Sequence, residues 1–102
     1  MDAAEVLPKL KERGFTFRTF ERYPRSMGAV RDNFVALLET TPEGGVRLSG
    51  ASGYLMGEKI AVLVKGERGS VFRSKEEEIP ATPELLSAYR RFQEDLIRGL
   101  RG

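Results

Sequence analysis

The 102-residue chain has no cysteine, no histidine and no tryptophan. Without cysteine there is no disulfide framework and no thiolate metal site. Without histidine, the commonest general base and the commonest transition-metal ligand are both missing. Polar amides are down to Asn33 and Gln93. Together with a charged fraction of 31%, this resembles the composition of proteins from hot-living organisms. Long apolar runs are missing as well. The longest, Phe34–Leu38 and Ile60–Val64, fall far short of the ~20 residues a membrane-spanning helix requires. The opening residues, Met1 to Glu5, carry neither the basic flank nor the apolar stretch of a signal peptide, so the expected location is the cytoplasm, with no membrane partner.

What remains suits one small domain spanning 1–102. Forty per cent of the residues are apolar, six of them Phe and three Tyr, enough for a single core. A chain of this size buries roughly 60–70% of its unfolded surface and needs no metal to fold. Net charge is only +2, but it is uneven. Residues 1–31 and 59–75 are basic, whereas 32–58 and 76–102 are acidic.

Hydrophobic spacing sets out the elements. Asp2-Ala-Ala-Glu5 has the form of a capping box before a helix over about 3–13, with Pro8 inside it and Gly14 as its stop. Phe15–Tyr23 alternates as a strand, placing Phe15, Phe17 and Tyr23 on one face and Arg18 and Arg22 on the other. Phe20 falls among the arginines unless a bulge returns it to the core. Residues 24–32 read as a connection. Phe34–Thr40, Val46–Ser49, Lys59–Lys65 and Ser70–Ser74 read as further strands, linked by turns at Thr41–Gly45 and Gly66–Gly69. Thr82 and Pro83 open a last helix whose face is Leu85, Tyr89, Phe92 and Leu96, widened by Leu86 and Ile97. The expected fold is α+β: a mostly antiparallel sheet of about five strands, with an N-terminal and a C-terminal helix packed on one face.

Few residues invite a chemical role. The glycines of Gly50–Gly57 have the wrong spacing for a phosphate loop, and a loop or bulge between strands is the better reading. Glu76-Glu77-Glu78 is the only carboxylate cluster, and such a run is ordinarily a solvated linker. No serine, threonine or lysine sits in a nucleophile motif, so no catalytic residue, metal ligand or cofactor is assigned.

The first functional expectation is therefore a non-enzymatic binding or scaffolding module that self-associates or takes a protein partner. Phe20, Leu37 and Leu63 would form an apolar patch on the sheet face opposite the helices. The second is a single-stranded nucleic-acid binder, in which Arg18, Arg22, Arg25 and Arg31 meet phosphates and Phe20 stacks on a base. Lys65, Arg68, Arg73 and Lys75 would extend that surface if the last strand lay nearby. A small-molecule enzyme comes third.

Overall fold

A computed structural model describes residues 3–101. Asp2, the expected helix cap, lies outside them. Helix α1 spans Ala3–Glu12, followed by β1 (Thr16–Phe20), β2 (Tyr23–Arg31), β3 (Phe34–Thr40), β4 (Val46–Met56), β5 (Lys59–Gly66), β6 (Gly69–Arg73) and β7 (Glu78–Pro80), then α2 (Pro83–Arg101). The fold is α+β and every strand pairs antiparallel with the next, in sequence order. The sheet has seven strands, not five. The two that were missed are β2, where Pro24, Ser26 and Gly28 suggested a connection, and the short β7 inside the expected linker. In addition, β4 runs through most of residues 50–57, where a loop or bulge between strands is expected; only the β3–β4 register shift at 49–51 interrupts its ladder there.

Hairpin chemistry explains the meander. The β2–β3 turn is Asp32-Asn33, both at positive φ (52° and 67°), a conformation that Asp and Asn tolerate better than other side chains. At the β3–β4 turn, Gly44 N–H donates to the Thr41 carbonyl at 2.9 Å, and Gly45 N–H donates to Thr41 Oγ1 at 3.0 Å. At the start of α2, Leu85 N–H donates to Thr82 Oγ1 at 3.2 Å, as expected of a threonine N-cap before Pro83.

The main core lies between the helices and one face of the sheet. Val6 and Leu10 of α1 and Tyr89, Phe92 and Leu96 of α2 are buried there with Phe15, Ala29, Phe34, Ala36, Leu38, Ala61 and Phe72. Phe34 is its hub, with ring centroids of Tyr54, Phe72, Tyr89 and Phe92 all 5.2–6.0 Å away. Leu85 and Leu86 are only half-buried, and Ile97 is exposed, so the apolar stripe of α2 is narrower than its sequence implies.

The opposite face closes on itself. The Glu21-Arg22 turn carries Tyr23 away from Phe15 and Phe17 to join Phe20, Val35 and Leu37 in a second cluster, with Val30, Leu55 and Ile60 around it. The β1–β2 register shifts after Thr19, leaving residues 24–26 bulged out of the ladder. A matching shift in the β3–β4 ladder leaves residues 49–51 opposite Leu37. The two bulges bend toward each other across β3, bringing the Ser26 and Ser49 hydroxyls to 2.9 Å. Strands two apart in a sheet stand nearly 10 Å from each other, so this contact needs both to curl over the strand between them. Leu37 is consequently 2% exposed on a face that has no helix.

Glycine makes this curl possible at two places. A Cβ on Gly28 would press into the Phe20 ring and come within 3.0 Å of Val35 Cγ2. A Cβ on Gly53 would stand 2.8 Å from the Ala61 carbonyl carbon and closer still to its oxygen, because β5 bends over β4 there.

Candidate functional site

The five residues singled out for nucleic-acid contact do not form one surface. Phe20 is 3% exposed, its ring packed across Gly28. A base cannot stack on a ring that is already buried, so the stacking role is lost. Arg18 lies with its guanidinium carbon 4.8 Å from the Phe20 centroid and donates to Glu58 at 2.6 Å. Arg31 turns inward. Its Nη1 donates to the Arg13 carbonyl at 3.0 Å and pairs with Asp95 at 2.9 Å, and the guanidinium lies over the Phe15 ring. Its Nε is buried and faces Asp32 at 3.6 Å, beyond hydrogen-bond reach.

Arg31 thus ties β2 to the chain just after α1 and to the body of α2, a structural task. Replacing it by alanine should cost about 2–3 kcal/mol, because it leaves the half-buried Asp95 with only the longer 3.9 Å pair to Arg13 and uncovers Phe15. A change below 0.5 kcal/mol in urea titration would show that the clamp carries no weight.

Arg22 and Arg25 remain exposed. Arg25 stands on the 24–26 bulge beside a cleft shared with Leu7, Met27 and Val46. Arg22, at the tip of the β1–β2 hairpin, is where the structure gathers charge. That tip lies against the β4–β5 turn and the 74–77 turn. A groove of about 230 Å³ opens between them, walled by Arg22, Tyr23, Lys59, Arg73, Ser74 and Lys75, with Ile60 and Glu58. An adjoining lobe of about 550 Å³ continues past Arg22, Glu58 and Lys59 to Thr19 and Glu21. Of the expected extensions, Arg73 and Lys75 therefore do meet Arg22. Lys65 and Arg68 do not line the groove.

Three ion pairs hold these turns together: Arg18–Glu58, Lys59–Glu76 at 2.5 Å and Arg73–Glu78 at 2.8 Å. Among the described residues, neither Arg22 nor Lys75 has a carboxylate within salt-bridge distance. The Glu76 carboxyl is held below its ordinary value, first by its hydrogen bond from Lys59 and then by the Lys59 charge; desolvation acts the other way, and the Arg22 charge adds the smallest contribution. The glutamate run is solvent-exposed, as expected, yet two of its members are engaged. Glu76 and Glu78 each bind a cation from a neighbouring strand, and Glu78 opens β7.

Lys59 was legible only as part of a strand. Its place in the groove comes from the β4–β5 hairpin, which no charge pattern along the chain discloses. Among the described residues, no group of three or more Asp or Glu is arranged to hold a metal ion. Among the described residues, no helix is long and apolar enough to cross a membrane. No protein-family model, curated protein or solved structure matches the chain.

Proposed function

We propose that the chain is a non-enzymatic binding module that self-associates through the apolar surface where β4 and β5 part. The original reason for expecting a dimer, an uncovered sheet face opposite the helices, does not hold: Phe20 and Leu37 are buried within the chain. Leu63, the third member of that patch, pairs in register with Phe72 and so belongs to the helix-bearing face.

What supports self-association is a different place. The β4–β5 ladder covers only Tyr54–Met56 and Lys59–Ala61. Beyond it, β4 pairs with β3 alone and β5 with β6 alone, each leaving one edge open among the described residues. Leu48 and Leu63 lie on these two diverging stretches, 49% and 39% exposed. Both point to the helix-bearing side, since Leu48 pairs with the core residue Leu38 as Leu63 does with Phe72. Ile97 is the third large exposed apolar side chain. Open strand edges beside exposed leucines are surfaces that a second chain covers favourably. A second copy offers the same features around a two-fold axis.

The expected result is a dimer mass by light scattering at micromolar concentration. The Leu48→Lys, Leu63→Lys double variant should be monomeric with unchanged circular dichroism, since both positions already reach water and a lysine stem can cover the same apolar surface. A monomeric parent chain up to about a hundredfold above that range would end this reading.

A further inference from the structure

The groove at the hairpin tips has a chemistry that self-association leaves unused. Four cationic side chains from three separate turns converge on it: Arg22 from β1–β2, Lys59 from β4–β5, and Arg73 and Lys75 from the end of β6. Among the described residues, Arg22 and Lys75 form no ion pair with a carboxylate, while Lys59 and Arg73 are oriented by Glu76 and Glu78. The Ser74 hydroxyl and the half-buried Tyr23 also line the walls. The other opposing charges are Glu58, already engaged by Arg18, and Glu21 in the adjoining lobe.

We propose that this groove binds phosphate groups, with Arg22, Lys59, Arg73 and Lys75 as the contacting cations and Glu76 as a built-in competitor. Guanidinium and ammonium donors fixed on different strands suit a multiply charged oxyanion, because each donates to a different oxygen without reorganising the others. The site already holds one anion of its own. Glu76 reaches Lys59 from the 74–77 turn and is stabilised in its charged form by Lys59 and Arg22 together. An incoming phosphate takes over Lys59 and releases the Glu76 side chain, which is largely solvent-exposed and free to swing away. The shared chemistry is the phosphate group, supplied either by a small phosphorylated molecule or by the backbone of a single nucleic-acid strand. In the second case contact is limited to phosphate, since Phe20 offers no stacking surface.

The test is a titration of the isotope-labelled full chain with inorganic pyrophosphate at low ionic strength, followed by backbone amide shifts. Amides of residues 22–23, 59–60 and 73–76 should move together on one saturating curve. Arg22→Gln with Lys75→Gln should weaken binding about tenfold, as expected for two lost charge-assisted contacts. Glu76→Gln should strengthen it several-fold. Glu94→Gln on α2, the same change in net charge, should leave it within a factor of two, which separates local competition from overall charge.

A parallel titration with a ten-residue oligothymidylate assigns the source. Tighter binding than pyrophosphate, with a salt slope of ~0.7 per phosphate, indicates a strand; weaker binding indicates a small ligand. Neither result alters the phosphate site itself. The proposal is overturned if neither probe saturates, if shifts spread evenly to other cations such as Arg90 and Arg91, or if Glu94→Gln strengthens binding as much as Glu76→Gln. The overturning results leave the dimer mass untouched, so this site and the self-association surface stand or fall separately.

Discussion

Replacing Phe34 by alanine should lower the unfolding free energy by about 3–5 kcal/mol, the range for emptying a fully buried phenylalanine site. Phe34 is 1% exposed and its ring touches four other rings, from β4, β6 and α2. No single neighbour can collapse into the space, because each of those rings is held on its own strand or helix. The loss should therefore fall in the upper half of that range. A domain of this size has only about 5–15 kcal/mol in hand, so the variant should be partly unfolded at 37 °C. Phe17, half-buried at the rim of the same core, should lose noticeably less on the same change. Urea titration of the two variants side by side decides the matter. A loss for Phe34→Ala no larger than ~1 kcal/mol, the average for arbitrary substitutions, would mean that the ring cluster is not the centre of the core.

Gly53→Ala should do comparable damage by the opposite route, adding one carbon rather than removing six. The new methyl group meets the Ala61 carbonyl and, at 3.2 Å, the Val62 Cα, all of it backbone. A flexible side chain would swing aside; a strand cannot. Overpacking usually costs ~1–3 kcal/mol when side chains can adjust, and here the β4–β5 crossing itself must shift, so about 3 kcal/mol or more is expected. Gly50, three residues earlier in the same strand, has open space at its Cβ position. Gly50→Ala should therefore be neutral or slightly stabilising, since alanine restricts the unfolded chain. Equal losses from the two changes would remove Gly53 from its role as the pivot of the curl.

These glycines show where the sequence is legible and where it is not. Helix α2 could be read in advance because capping and period are local: Thr82, Pro83 and the spacing of Tyr89, Phe92 and Leu96 all lie within one stretch of chain. Strands β3 and β5 were legible as short apolar runs. Strand β2 was not, because Pro24, Ser26 and Gly28 are turn-formers by composition. Here they form a bulge and a slot for the Phe20 ring, a purpose visible only once β1 and β3 lie alongside. The Asp32-Asn33 turn was missed because neither residue is glycine, although both adopt the left-handed conformation that such hairpins require. Ile97 fitted the helical period yet stands in water, since periodicity gives the direction of a side chain and not the extent of the surface beneath it.

The candidate site follows the same logic. Arg22 was visible as a basic residue in an aromatic strand. Its company in the groove depends on three turns meeting at one end of the sheet, and on Glu76 reaching Lys59 seventeen residues away. Arg31 looked equivalent to Arg22 along the chain. It differs because Asp95 and the Arg13 carbonyl draw it inward.

The uninterrupted strand order has a consequence for how quickly the chain finds its structure. Every ladder joins strands that are neighbours in sequence, so each hairpin closes a short loop before any distant contact is needed. All-β domains usually fold in milliseconds to seconds because their pairings are non-local; a meander removes most of that burden and should fold toward the fast end. The docking of α1 against α2, where Leu10 fits over Gly99, joins elements far apart along the chain. That contact closes the longest loop of all, and it belongs to the last stage of folding rather than to its nucleus.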